Sequence, residues 1–209
     1  MRGRFLAATA IAAAVGLVGA APAQAVLVQL STGHVDLLDV DWSGGALTLD
    51  LHDYVAGIDR NPADVELIVK TAAETTVPIN PAYDFLGPDH DPVWVLPQGQ
   101  PEATSMNVLW LGWNSKGATG NPPGSMTIRL KTVSGPADFS VFTVGMFGAV
   151  TVLLDSGNGL PDTRALPVNA HEHANWAFED CGTYDVTFEV TAAGGVTTGD
   201  KTYRFIVEC

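Results

Sequence analysis

The sequence predicts an all-β chain folded as a sandwich of about eight or nine short strands, and three observations carry that expectation. Apolar and polar residues alternate with a period of two in run after run, while helical periodicity is nearly absent. Clusters of Gly, Pro, Asn and Ser separate those runs at short intervals. The stretch Cys181-Gly182-Thr183-Tyr184, followed by alternating apolar residues, resembles the entry to the penultimate strand of immunoglobulin-like domains, where a tyrosine hydroxyl bonds back to upstream backbone.

The elements follow in order. GHVDLLDVDW opens the sandwich, and in ALTLDLHD the residues Leu47, Leu49 and Leu51 face one way while Thr48, Asp50 and His52 face the other. DVELIVK sets Val65, Leu67 and Val69 inward. The segment 77–124 has no clean alternation and is rich in Pro, Gly and aromatics, which predicts a long insertion capping one end of the sandwich. Trp94, Trp110 and Trp113 fall within it; a core-capping role is expected for them, with an exposed glycan-contacting row as the alternative. Alternation resumes with Met126, Ile128 and Leu130, then Val150, Val152 and Leu154. Tyr184, Val186, Phe188 and Val190 form the inward set of one late strand, and Tyr203, Phe205 and Val207 that of the last. These two strands are joined as a hairpin by AAGGVTTGD.

Residues 1–25 have the layout of a cleaved secretory signal: two arginines, an apolar run, and Ala-Gln-Ala before the expected cut after Ala25. Residues 26–209 are then one immunoglobulin-like domain, long enough for a sizeable core. No later apolar run is long enough to span a bilayer, so the expectation is a secreted or surface-associated protein with no membrane span of its own. The net charge of −13 argues against nucleic acid or anionic lipid as a partner and is compatible with cation binding. Cys181 and Cys209 are an even pair in an exported chain, which favours a disulfide. The hairpin supports that pairing, because the start of its first strand and the end of its second lie at the same end.

The histidines carry the chemistry. In NAHEHANWAF, residues 169–178, strand alternation puts His171, His173 and Asn175 on one face and Trp176 and Phe178 on the other. Imidazoles two residues apart on a strand lie about 6–7 Å from each other on the same side and can converge on one ion. The pattern is not His-Glu-x-x-His, which needs helical spacing, and Glu172 points to the opposite face. His34, with Asp36 on its face two residues on, is the expected third partner if the opening strand lies beside the late one. His171, His173, His34 and Asp36 are therefore the candidate metal ligands, with zinc the expected metal. His52 reads as an exposed strand position and His90 as part of an aspartate-rich turn. Asp155, Asn158 and Asp162 offer oxygens for calcium but lack the spacing of a known calcium loop. There is no Gly-x-Ser-x-Gly elbow and no phosphate-binding loop, so no enzymatic activity is expected.

The ordered series GHVDLLDVDWSGGALTLDLHD, NPADVELIVK, PAYDFLG, DPVWVLPQ, LWLGW, GPADFSVF, DSGNGLPD and HEHANWAFEDCGTYDVTFEV resembles the actinobacterial surface-anchored protein repeat domain, also called the choice-of-anchor M domain, from about Gly33 to Val207. The resemblance implies an extracellular, non-enzymatic module of cell-wall-attached proteins, often encoded near a metal-type ABC transporter and sometimes joined to its substrate-binding protein. It also implies that His34, Asp36, His171, His173, Asn175 and Trp176 occupy the family's pattern positions. Two functions are thus expected in competition: a transition-metal binder accessory to ABC-transporter uptake, and a structural or adhesive module contacting a glycan, cell-wall component or protein. A metallohydrolase would need a carboxylate beside a metal-bound water.

Overall fold

The alternating runs become strands because each can bury one face and leave the other to solvent, and the computed structural model describes them over residues 27–118 and 124–209. The leader expected at residues 1–25 lies outside the described residues. In chain order the strands are β1 (Val28–Leu30), β2 (Gly33–Ser43), β3 (Ala46–Asp53), β4 (Ile58–Arg60), β5 (Val65–Val69), β6 (Glu74–Thr76) and β7 (Pro92–Leu96). A short helix α1 (Gln100–Met106) precedes β8 (Leu109–Asn114), β9 (Met126–Ser134), β10 (Phe139–Val144), β11 (Val150–Asp155) and β12 (Asp162–Leu166). The chain ends with β13 (His171–His173), β14 (Asn175–Phe178), β15 (Gly182–Ala192), β16 (Val196–Thr197) and β17 (Lys201–Val207).

These strands form a sandwich-like all-β fold of the immunoglobulin-like kind. One sheet runs β1-β5-β17-β15-β9-β12 with β16 on β15; a second runs β11-β10-β14-β7-β6; a third runs β13-β8-β2-β3-β4. Residues of all three sheets join in one apolar cluster that includes Leu37, Leu49, Trp113, Trp176, Phe188 and Phe205. The first two sheets meet through aromatic edges: Phe139 and Trp176 touch Phe188, and Phe178 touches Phe205 with ring centroids 4.9 Å apart. The tyrosine after Cys181 makes the bond its motif implies, the Tyr184 hydroxyl donating to the Asp180 carbonyl at 2.9 Å.

The described strands number seventeen, more than the alternation suggested, for two physical reasons. Several are three-residue pairings, such as β1, β4 and β6, too short to show a period. The aromatic-rich segment 77–124 is also more than a cap, since it supplies β7 and β8, the latter lying parallel to β2 inside the third sheet. Trp94 and Trp113 are buried in the core and Trp110 is half-buried, so the three rings form no exposed glycan-contacting row.

NAHEHANWAF is extended, but it is two strands. β13 pairs with β8 in the third sheet, and after buried Ala174 the chain enters the second sheet, where β14 pairs with β10 and β7. Asn175 therefore leaves the histidine face, and its side-chain oxygen accepts from the Gln98 amide at 2.9 Å. Cys181 and Cys209 form a disulfide, closing the end of the β15–β17 hairpin where Gly182 pairs with Val207. No helix among the described residues is long and apolar enough to cross a membrane.

Candidate metal centre

The third sheet places the histidines by register. His173 on β13 is opposite Gly112 on β8, Gly112 is opposite Asp36 on β2, and Asp36 is opposite His52 on β3. Cross-strand partners share a face, so one row of the sheet lines up His173, Asp36 and His52 on the side away from the Leu49 and Leu51 core. His171 and His34 lie two residues from His173 and Asp36 and so share that face. One ligand atom from each of His34, Asp36, His171 and His173 lies within 4.8 Å of the other three.

Asp36 is the hub. It is fully buried, its Oδ1 accepts from His34 Nε2 at 3.1 Å and His171 Nε2 at 2.9 Å, and its Oδ2 accepts the Tyr54 hydroxyl at 3.1 Å. Burial, reinforced by the Asp36 charge, pushes the Tyr54 phenol up to about 12, so it remains a donor at neutral pH. Burial likewise holds the His34 imidazole below its ordinary value despite the opposing pull of Asp36. The His34–Asp36 contact at neutral pH is therefore a hydrogen bond of a neutral ring, not an ion pair.

His173 is prepared differently. Its Nδ1 faces the Leu111 carbonyl at 2.9 Å, which fixes the tautomer with the proton on Nδ1. Its Nε2 is left buried with no hydrogen-bond partner. Burial pushes this imidazole down to about 4, the Leu111 bond opposing only in part, so at neutral pH Nε2 carries a bare lone pair. A buried polar atom without a partner is costly, and here it is the atom a metal ion would use.

Packing holds the rings in place. Trp110 stacks on His173 with centroids 3.6 Å apart, and Tyr54 stacks on His34 at 3.8 Å. Trp110 is itself pinned by Nε1 donating to the Gln98 carbonyl at 2.9 Å, and Gln98 is held by Asn175. Glu172 faces away from the centre and is bonded by Arg164, which lies over the Trp113 ring. Lys116 Nζ approaches His171 Nδ1 at 3.4 Å, at the edge of the group.

Gly112 completes the arrangement. A Cβ there would stand 2.6 Å from the Glu172 carbonyl oxygen and 2.7 Å from the His173 ring. The bare backbone lets the imidazole lie over β8, with one ring nitrogen within 4.8 Å of an Asp36 oxygen. Gly112→Ala is expected to displace β13, weakening metal affinity at least tenfold and costing about 1–3 kcal/mol of overpacking strain. Calorimetric titration and thermal melts of the variant read both effects.

The remaining sequence candidates lie elsewhere. His90 sits in an exposed turn with φ of 71° and joins no ligand group among the described residues. Asp155 and Asp162 accept turn hydrogen bonds from Gly157, Asn158, Thr163 and the Asp155 amide, and neither joins a ligand group among the described residues. His52 is half-buried rather than an exposed strand position, with Nδ1 2.5 Å from Asp59 Oδ1. Tyr54, Trp110 and Gly112 escaped sequence reasoning because their roles are to stack on or make room for rings that only the sheet register brings near. The chain matches no protein-family model, no curated protein and no solved structure.

Proposed function

We propose that this protein binds a transition-metal ion, zinc, through His34, Asp36, His171 and His173, and serves as an exported, non-enzymatic accessory to metal uptake by an ABC transporter. The observation that carries the reading is the lone pair of His173 Nε2, buried, unpartnered and held in the ligating tautomer by Leu111, beside three further donors. Three imidazoles and one carboxylate are a donor set that suits zinc, whereas calcium and magnesium would call for oxygens. The disulfide is in keeping with an oxidising compartment, and the acidic surface with a cation as cargo. The transporter's substrate-binding protein as partner rests on the family resemblance. Calorimetric titration with zinc should give one tight equivalent that disappears in a His171→Ala/His173→Ala double variant; binding unchanged in that variant defeats the assignment.

One observation favours the competing reading, a module that contacts another protein at the cell surface. Met146 and Phe147, at the turn between β10 and β11, are 82% and 98% exposed. Contact through that tip would leave zinc binding untouched while a Phe147→Ser variant lost cell-surface retention.

A further inference from the structure

Beside the three-histidine group, on the same face of the sheet, lies a second set of donors. Asp39 on β2, His52 on β3 and Asp59 on β4 each bring one ligand atom within 4.8 Å of the other two. Asp39 reaches that face through a break in register. β2 is opposite β3 at Asp36↔His52 and again at Asp39↔Asp50, so three residues of β2 span two of β3. An extra residue of this kind is a β-bulge, which turns the following side chains over. Asp36 and Asp39, three apart and on opposite faces of a regular strand, thereby share one face, and both Leu37 and Leu38 are buried between them.

Carboxylates near an imidazole on a sheet are common without a ligand; what distinguishes this group is Asp39. Its residue is 8% exposed, and its Oδ1 is buried with no hydrogen-bond partner. The other buried aspartates are all served. Asp36 accepts from two histidines and Tyr54, Asp53 from Arg60 and the amides of Val55 and Ala56, and Asp155 from Gly157 and Asn158. A carboxylate taken out of water without a partner is strongly disfavoured unless it holds a proton or a cation meets it; burial pushes Asp39 up to about 7, and a cation bound there takes the place of that proton. One carboxylate oxygen of Asp39 lies within 4.8 Å of a His52 ring nitrogen and an Asp59 oxygen, and Asp50 stands opposite on β3, so the local field is negative and attracts a cation.

We propose that Asp39, His52 and Asp59 form a second divalent-cation site, distinct from the three-histidine centre. Two carboxylates and one imidazole make a harder donor set than three imidazoles, so this site takes an oxygen-preferring ion of the manganese class. Tyr54 adjoins both groups: its ring stacks on His34 and meets His52 edge-on at 4.4 Å. The two sites therefore share one aromatic cover.

The test uses the metal-free full-length chain loaded with one equivalent of zinc and then titrated with manganese, the free ion being read by electron paramagnetic resonance. One manganese per chain is expected for the zinc-loaded unaltered protein, and the same for the metal-free His171→Ala/His173→Ala variant titrated without zinc, which separates this site from the zinc centre. Asp39→Asn and His52→Ala should each weaken manganese uptake at least tenfold. Asp39→Asn keeps the side chain's shape and removes an unpaired charge, and His52 is partly exposed, so neither change threatens the fold; circular dichroism confirms this in the same samples. No manganese uptake by the unaltered protein, or uptake in both single variants equal to that of the unaltered protein, overturns the proposal.

Discussion

Asp36→Ala is expected to weaken zinc binding by at least ~100-fold, the largest effect of any single substitution at the centre. Two consequences combine. The only carboxylate of the ligand group is lost, and His34, His171 and Tyr54 lose the acceptor on which their orientations depend. Because Asp36 is fully buried, the vacated space also strands donors at a cost of about 1–3 kcal/mol to the metal-free fold. Asp36→Asn separates these effects, since an amide keeps the volume and one acceptor oxygen while removing the charge. It should leave the melting temperature nearly unchanged and still bind zinc poorly. Calorimetry and thermal melts of both variants check this, and wild-type affinity in Asp36→Ala would remove the aspartate from the centre.

Loss of the Cys181–Cys209 bond is expected to produce the largest change in stability. The crosslink joins residues 28 apart, and loop entropy of that length is worth about 3 kcal/mol. For a domain of this size the loss lowers the melting temperature by roughly 6–12 °C. The Cys181→Ser/Cys209→Ser variant, and the unaltered protein melted in reductant, should agree. Zinc affinity should hardly move at a temperature where the variant remains folded, because the bond fastens β15 to β17 in a different sheet from the histidines. A shift below about 1 °C would mean that the hairpin's own pairing already constrains the unfolded chain.

The parts of this molecule legible in the sequence are those governed by local periodicity. β3, β5, β9, β15 and β17 alternate cleanly because each has one face in the core, and the disulfide follows from the hairpin that two of them form. The His-x-His spacing was readable for the same reason, since neighbours-but-one on any strand share a side. What stayed hidden depends on register between distant segments. LWLGWN in β8 has aromatics on both sides because it is buried on both, so it does not read as a half-exposed strand, yet it bridges β2 to β13 and carries Gly112. The sheet change at Ala174 is unmarked, so Asn175 looked like a companion of the histidines. The bulge in DLLD reverses the face of Asp39 relative to a regular strand, which is why Asp36 could be linked to His34 from spacing alone and Asp39 could not.

The most direct test is X-ray absorption at the zinc edge on protein carrying one equivalent of the metal. Coordination by His34, His171, His173 and Asp36 predicts a nitrogen/oxygen shell at about 2.0–2.1 Å with the outer-shell scattering of three imidazoles. A shell of oxygens without imidazole scattering would contradict the account.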